Sequence, residues 1–495
     1  MSGAAKPVVL AIGGSDCSGM AGTAMDLRVI RALGGHGAAA VTAVTAQHGG
    51  AVTAVNPVAP AVLHQQLGAC RALPIGAVKI GLVATPEQVR VCADFLRATG
   101  LPSVLDPVMA SSAGSALMAA GTVAALRREL LPLCTIATPN HGEAERLAGR
   151  PVAGDRDAAS AGEALRALGA PGLLVKGGHG TGPASCDLYL AGGQRFWLHS
   201  PRLPTPHSRG TGCALASAIA TALALGHPLA DAVVIAKMAI NQGLRQGRGW
   251  DDHPGPVDIS HFPDDGVDLP MLLDRLDEGL RETPFPGCGA LPLGLYPVVD
   301  RAHWLATLLP AGVTTIQLRI KDLDGAALRA ELGDGIALAR RHGARLFIND
   351  HWQLAIELGA YGVHLGQEDL ATADLGAIHR AGLRLGISTH GHVEVARAHR
   401  CRPSYLASGP VYPTTSKIMP WAPQGPRGLA YWRRVLSDYP LVAIGGINRD
   451  RLIPVRDAGA DGVAMISALT GAADPAATAR DFVRRLAMRP RRHGT

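Results

Sequence analysis

Both halves of this 495-residue chain are predicted to be α/β: a mostly parallel sheet sandwiched between helices in the N-terminal half, and a closed (β/α)8 barrel in the C-terminal half. Three observations predict this. The length exceeds what one ordinary core serves, so two domains of roughly 200–270 residues are expected. Hydrophobic residues make up 47% of the chain, enough to fill two cores. Short β-branched runs alternate with helical stretches from residue 8 to residue 245, and a more regular strand–helix repeat begins at Leu295.

In the first half "VVLAIGGSD", "GAVKIGLV", "PSVLDPVM", "CTIATPN" and "GLLVKGGH" read as buried strands, with amphipathic stretches such as "TPEQVRVCADFLRATG" between them. Ligands of such sheets sit at the carboxyl ends of the strands. Polar or glycine-rich residues gather there: Gly14–Asp16, Gln47–His48, Asp106, Asn140 and Lys176–His179. In "PHSRGTGCALASAIATALALG", Pro206 to Gly226, a glycine turn opens a long apolar helix and Cys213 sits in its first turn. Backbone N–H groups at such a turn can face an anion, and a thiol there can have its pKa depressed and act as a base or nucleophile. The plainer alternatives are a flexible helix entry and a small packing cysteine.

The alternation stops between about Leu244 and Leu291, where "GRGWDDHPGPVDISHFPDDGVDLP" and "RETPFPGCGALPLG" are rich in proline, glycine and acid. "MLLDRLDEGL" between them reads as a short helix. The expected domains are therefore 1–255 and 292–495, joined by a linker at 256–291.

The second half offers eight strand candidates: "LYPVVD", "TTIQLRIK", "ARLFIND", "YGVHLG", "RLGISTH", "SYLASGPVY", "LVAIGG" and "DGVAMIS". Each precedes a helical stretch, which is the TIM-barrel pattern, and active sites of that fold lie at the C-terminal strand ends. There the second strand brings Gln317, Arg319 and Lys321, whose spacing places them on one face. Cations facing a barrel mouth are costly unless an anion meets them. Asn349 and Asp350 end the third strand and Asp369 follows the fourth, oxygen donors that suit Mg²⁺. Ser388, Lys417 in "PTTSK", Gly445–Gly446 and Ile466–Ser467 complete the rim, and the last two loops are a frequent phosphate seat. These positions suggest two phosphate-bearing ligands and a divalent metal.

Composition excludes several classes. No apolar run reaches about 18 residues, so no membrane partner is expected. The N-terminus enters a strand at once and shows no signal peptide. The eight cysteines contain no CxxC pair, which fits a reducing cytoplasm. The net charge of +7 is not gathered into a nucleic-acid patch; the one dense basic run, "RRLAMRPRRHGT", reads as a solvated tail.

Six motifs of the first half, "IGGSDCSGMAGTAMD", "VTAVTAQHGG", "VLDPVM", "TPNHGEAERLAG", "VKGGH" and "RGTGCALASAIA", together resemble hydroxymethylpyrimidine (phosphate) kinases of the ribokinase-like superfamily. The resemblance spans about residues 5–250 and implies a ribokinase-like αβα sandwich that uses ATP to phosphorylate hydroxymethylpyrimidine and then its monophosphate. It assigns Cys213 as the base, where related sugar kinases carry aspartate. The amides of Gly210, Thr211, Gly212 and Cys213 would hold the transferring phosphoryl. Gln47 would bind the aminopyrimidine edge, and Gly14 and Asp26 would line the same pocket. Asn140 and Glu143 would order Mg²⁺ and phosphate through water, with Asp106 and Lys176 on the nucleotide side. The plainer reading of Glu143 is a first-turn acid that complements the helix dipole. The chain departs from the family pattern at Gly13, Met20, Thr23–Met25, Leu82 and Arg209.

"QLRIKD", "FINDHWQLA", "GVHLGQED", "GISTH", "GPVYPTTSK", "VAIGGI" and "DGVAMIS" resemble thiamine-phosphate synthase over about residues 293–488. The resemblance implies that hydroxymethylpyrimidine diphosphate loses pyrophosphate and that the nitrogen of a thiazole phosphate then attacks the pyrimidine methylene. Gln317, Leu318, Arg319, Ile320, Lys321, Asn349, Ser388 and Lys417 would hold the pyrimidine diphosphate, and Asp350 and Asp369 the Mg²⁺. Thr414, Thr415, Ser416, Gly446, Ile466 and Ser467 would seat the thiazole phosphate. Ser416 stands where threonine is common, and "IMPWAPQGPRG" after Lys417 reads as a flap.

The first half would thus make the diphosphate that the second consumes. The partners expected are small molecules only, with homo-oligomerisation left open. The competing readings are a first domain that phosphorylates pyridoxal or another vitamin alcohol, and a ligand sensor without turnover. Retention of Cys213, Asp350, Asp369 and Lys417 speaks against the sensor, which needs affinity alone.

Overall fold

The computed structural model describes residues 6–48, 51–110, 117–178, 180, 182–250, 253–414 and 421–487. The chain forms two compact units, one of Met1–Pro263 with Asp268–Glu278, the other of Asp264–Val267 with Gly279–Thr495.

The first unit is built on ten strands: β1 (Val8–Asp16), β2 (His36–His48), β3 (Ala51–Pro57), β4 (Ile75–Ile80), β5 (Ser103–Leu105), β6 (Ile136–Ala137), β7 (Gly172–Val175), β8 (Ala184–Ala191), β9 (Gln194–Pro201) and β10 (Met271–Leu273). Their order is β10-β9-β8-β7-β6-β5-β4-β1-β2-β3. The centre, from β2 through β1 and β4 to β7, is parallel. Leu10, Ala11 and Ile12 of β1 are all fully buried, and since successive side chains point to opposite faces, both faces of the sheet are covered. The helix Thr211–Ala224 packs on β1 and β4. Its alanines at 214, 216, 218, 220 and 222 are all fully buried, so this helix is apolar on every side and lies wholly inside the unit.

The sheet is mostly parallel, as the sequence predicts, and antiparallel only at its flanks, at β3 and along the run β8-β9-β10. The β8–β9 hairpin turns on Gly192 and Gly193, with φ of 57° and 76°, the pair of positive values a tight two-residue hairpin requires. The expected helix "MLLDRLDEGL" is instead strand β10, whose Met271–Leu273 pair with His199–Trp197 of β9. Its three apolar residues find an open sheet edge, which local pattern does not reveal.

The second unit closes eight parallel strands into a barrel: β11 (Gly294–Val299), β12 (Thr315–Leu318), β13 (Arg345–Asn349), β14 (Gly362–Leu365), β15 (Arg384–Thr389), β16 (Tyr405–Ser408), β17 (Leu441–Ala443) and β18 (Gly462–Met465). Closure is the parallel pairing of β11 with β18. Tyr296, Phe347 and Tyr405 fill the interior with tilted and edge-on ring contacts. Gly386 makes room for one of them: a Cβ there would lie 2.1 Å from the Tyr405 ring.

Residues 256–291, read as a linker, are divided between the units. Val257 and Ile259 are buried beside Gly243, and the Asp268 carboxylate accepts from Arg245 at 2.6 Å, all within the first unit. From Gly279 the chain lines the N-terminal end of the barrel. Phe285 and Cys288 are buried there, and the Arg345 guanidinium donates to the carbonyls of Cys288, Leu291 and Pro292 at 3.2, 3.0 and 2.7 Å. A barrel fragment that begins at Gly279 is therefore expected to be more stable than one that begins at Pro292 by about 2–5 kcal/mol, since the shorter piece uncovers core and takes the Cys288 and Leu291 carbonyls from Arg345. Urea titrations of the two fragments measure this, and equal midpoints would mean that 279–291 adds nothing to the barrel.

Candidate active sites

In the first unit a cavity of about 920 Å³ opens where the parallel strands end. Two backbone contacts build it. Asp16 accepts from the amides of Ser18 and Ala21, both at 2.8 Å, and so folds the turn that ends at Gly22. At Gly22 (φ 59°) a Cβ would lie 2.3 Å from the Gly14 carbonyl, and at Gly210 (φ 76°) one would lie 2.3 Å from the Met20 carbonyl. Only glycine allows either approach. The Gly210 turn thereby meets the Asp16–Gly22 turn, and the helix Thr211–Ala224 begins at the cavity floor.

Lys176 of this cavity stands between two carboxylates. Lys176 Nζ donates to Asp106 at 2.8 Å and lies 3.9 Å from Glu143. A Cβ on Gly212 would sit 3.4 Å from both Asp106 and Lys176, so the glycine turn passes directly over that pair. Asn140 and Glu143 form a reciprocal cap: the Asn140 side chain accepts from the Glu143 amide at 2.9 Å, and the Glu143 carboxylate accepts from the Asn140 amide at 2.8 Å. Glu143 therefore does serve its helix, but burial also raises its pKa to about 7 against the pull of Lys176. Gly14, Gln47 and Leu82 line the other end of the cavity, together with Thr211 and Cys213. His179 lies outside the described residues.

Two sequence expectations are corrected. Asp26 does not reach the cavity wall; it is fully buried and accepts from Lys79 and Ser217, each at 2.8 Å. The half-buried Cys213 is not a thiol of depressed pKa. Burial pushes it up to about 11, Asp26 and Asp106 add to this, and Lys79 and the Gly22 amide pull the other way without prevailing. The helix terminus is outweighed by desolvation and two carboxylates.

Sequence reasoning missed Lys79 and Lys237. Burial works against the Lys79 ammonium, yet Asp26, Cys213 and Asp106 around it hold it above the ordinary lysine range. Lys237 donates to Asp187 at 2.7 Å and to Ser185 at 3.0 Å, and both lysines line the cavity. The signal was present: "GAVKIGLV" and "VVIAKMAI" each hold one lysine inside a buried run, where it needs a carboxylate partner.

At the barrel mouth Asp350 has φ 62°, a left-handed conformation costly for aspartate and frequent at functional sites. Its carboxylate pairs with Lys321 and faces Asp369, which itself accepts from the Gly366 amide at 3.1 Å. Burial and the facing Asp350 raise Asp369 above the usual carboxylate range. Two converging carboxylates of this kind call for a cation between them, and their hard oxygen donors fit Mg²⁺. Among the described residues there is no group of three or more acidic, histidine or cysteine side chains placed for a metal, so water or ligand oxygens would complete its shell.

The second strand ends at Leu318. Gln317 thus points into the barrel while Arg319 and Lys321 stand exposed in the following loop, not on one strand face. The side chains of Leu318 and Ile320 are buried, which leaves only backbone to a ligand. Asn349 is buried at the end of β13, and Ser388 Oγ is 2.8 Å from His364 Nε2. Gly446 (φ 62°) would place a Cβ 2.3 Å from the Pro413 carbonyl, so the loop after β17 abuts the segment that leads to Thr414. Ile466 and Ser467 lie just past β18 at the same rim. Thr415, Ser416 and Lys417 lie outside the described residues.

Fold and geometry define a class first: a ribokinase-like phosphoryl-transfer domain and a phosphate-handling (β/α)8 barrel in one chain. Comparison with known proteins gives the particulars. A family model described as phosphomethylpyrimidine kinase matches residues 16–258, and one described as thiamine monophosphate synthase matches residues 295–469. The thiamine-phosphate synthase of Serratia proteamaculans (strain 568) is 60% identical over 201 residues, which are 40% of this chain and 93% of that protein. The phosphomethylpyrimidine kinase of Clostridium difficile 630 is 34% identical, with 48% of this chain and 98% of that chain covered at a TM-score of 0.43. The pyridoxal kinase of Staphylococcus aureus is 29% identical, with 52% and 95% covered and a TM-score of 0.49. The chain belongs to the thiamine-phosphate synthase family through its barrel and joins to it a phosphomethylpyrimidine kinase domain, which makes it a bifunctional transferase of thiamine biosynthesis.

Only a thiolate is alkylated, so the pKa of Cys213 is directly testable. Its iodoacetamide rate, followed by peptide mapping, is expected to rise about tenfold per pH unit from 7 to 10 without a plateau. A plateau near pH 7 would mean that the helix terminus prevails after all.

Proposed function

We propose that the first unit phosphorylates hydroxymethylpyrimidine and its monophosphate with Cys213 as the base, and that the barrel joins the resulting diphosphate to a thiazole phosphate. The observation that carries the first part is the Gly210–Cys213 turn, which lies over the Asp106–Lys176 pair with its thiol facing Lys79. Gln47 offers a donor and an acceptor to the aminopyrimidine edge beside Gly14 and Leu82. The amides of Gly210 to Cys213 receive the transferring phosphoryl. Cys213 takes the hydroxyl proton as the phosphorus–oxygen bond forms, and Lys79, held charged by Asp26, favours the thiolate this requires. Asp106 and Lys176 face the nucleotide, for which the kinase family match supports ATP. Asn140 and Glu143 order Mg²⁺ through water.

In the barrel, Gln317, the backbone from Leu318 to Ile320, Arg319, Lys321, Asn349, Ser388 and Lys417 hold the pyrimidine diphosphate. Thr414, Thr415, Ser416, Gly446, Ile466 and Ser467 seat the thiazole phosphate. Asp350 and Asp369 would hold Mg²⁺, which when bound would supply charge neutralisation to the diphosphate. All eight cysteines are free, which supports a cytoplasmic site of action, and no helix among the described residues is long and apolar enough to cross a membrane.

Pure protein given hydroxymethylpyrimidine, ATP, Mg²⁺ and thiazole phosphate is expected to yield thiamine phosphate. Cys213→Ala should lower kinase turnover at least about 100-fold while synthesis from supplied diphosphate stays intact. Kinase turnover near that of the parent would remove Cys213 from the base role. Asp350→Asn and Asp369→Asn should raise the Mg²⁺ requirement of the synthase about 10–100-fold with the kinase intact. Unchanged Mg²⁺ titrations in both variants would place the metal elsewhere.

A further inference from the structure

The barrel interior holds a run of five polar side chains whose three middle members no step above uses. Gln317 Nε2 is 3.5 Å from the Tyr296 hydroxyl, Tyr296 is 2.6 Å from the Tyr405 hydroxyl, and Tyr405 is 2.7 Å from His364 Nδ1. His364 Nε2 is in turn 2.8 Å from Ser388 Oγ. These five residues come from five different strands, β12, β11, β16, β14 and β15. All but Ser388 are buried, with Tyr405 fully so. Buried polar groups are expensive unless each is satisfied, and here each is satisfied by the next. The two ends, Gln317 and Ser388, are residues placed above on the pyrimidine diphosphate.

Proton counting gives the chain a direction. The Gln317 amide nitrogen can only donate, so the Tyr296 oxygen accepts from it. Tyr296 has one proton, which goes to Tyr405, and the single proton of Tyr405 then goes to His364 Nδ1. The imidazole accepts at Nδ1 and therefore carries its proton on Nε2, from which it donates to Ser388 Oγ. Ser388 receives a hydrogen bond and keeps its own proton free. Its hydroxyl is thereby set to donate outward, as an anionic ligand needs. Without the chain, the Ser388 proton can turn back onto His364 Nε2 and present lone pairs to the phosphate.

The backbone is shaped for this arrangement. Gly386 pairs in register with both His364 and Tyr405 on the neighbouring strands. A Cβ on Gly386 would lie 2.3 Å from the Tyr405 hydroxyl, so glycine opens the path along which the phenol reaches the imidazole. Gln367 Nε2 donates to the Ser388 carbonyl at 2.7 Å and holds that backbone still.

We propose that His364 is a positioning residue of the synthase: fixed as its Nε2–H tautomer by Tyr405, it turns the Ser388 hydroxyl proton toward the diphosphate of the pyrimidine substrate. This rests on the reading that Ser388 contacts that diphosphate. The test is steady-state kinetics of the full-length protein with supplied pyrimidine diphosphate, with thermal melts of every variant. Ser388→Ala is expected to raise the diphosphate KM about tenfold. His364→Asn, which keeps an acceptor for Tyr405 but loses the donor to Ser388, should raise it by a similar factor and leave kcat within about threefold. His364→Gln, whose amide nitrogen reaches the place of Nε2, should restore KM to within about threefold of the parent. In the Ser388→Ala background His364→Asn should add nothing further, because His364 acts through that hydroxyl alone. Additive effects of the two substitutions, or a KM unchanged in a folded His364→Asn variant, would overturn the role of His364 while leaving Ser388 in place. An unchanged KM in Ser388→Ala would overturn both the relay and the contact it serves.

Discussion

Parallel strand pairing is the constraint on which both units depend. When neighbouring strands run the same way, their carboxyl ends collect at one edge, and the loops that leave them converge. Asp16, Lys79, Asp106 and Lys176 are brought together in this way from β1, β4, β5 and β7 or the residues just beyond them. Asn349, Asp350, His364, Ser388 and Gly446 are brought together likewise around the barrel mouth. The antiparallel strands β3 and β8 to β10 lie outside the parallel centre and widen the sheet, and Val52 of β3 and Ser185 and Asp187 of β8 add to the cavity lining from its flanks.

A site built for phosphate must gather cations, and cations gathered without their ligand repel one another. The chain pairs them internally. Lys79 is neutralised by Asp26, Lys176 by Asp106, Lys237 by Asp187 and Lys321 by Asp350. Removal of one member would leave a buried charge uncompensated, so each pair is a fold requirement as well as a chemical one. The pairs differ in kind. Lys79–Asp26 is wholly sealed, and its charge is fixed. Lys321 is half exposed, so its pair with Asp350 stays open to solvent.

All eight barrel strands were legible in the sequence because each is a short apolar run followed by a helix, and the pattern repeats without exception. The parallel centre of the first sheet was legible for the same reason. The antiparallel flanks were not, since "DLYLAGGQRFWL" alternates polar and apolar residues and offers no continuous run, although its Gly192–Gly193 pair marks a tight hairpin. Motif spacing located Gly210 to Cys213, Asp350 and Asp369 because those residues are close in sequence to the glycines or strand ends that position them. The family resemblance put Asp26 on the cavity wall, and a resemblance carries a position along the chain but not a depth in the fold. Partners far apart in sequence stayed hidden: Lys79 meets Asp26 across 53 residues and His364 meets Tyr405 across 41, and no local rule joins them.

The same electrostatics explain why a thiol, and not a carboxylate, stands at position 213. Asp26 and Asp106 already place two negative charges around Lys79 and Lys176. A carboxylate in the first turn of the Thr211–Ala224 helix would add a third, and burial would penalise it further. A thiol pushed up to about 11 stays neutral and adds no negative charge of its own. A Cys213 that serves as the base proposed above must first give up its own proton, since a protonated thiol cannot accept one from a substrate hydroxyl. Lys79 and the Gly22 amide favour that ionisation. The helix terminus would then act on the thiolate before transfer and on the phosphoryl group as charge develops there. The elevated pKa thus makes the ionised Lys79 as necessary to that role as the sulfur itself.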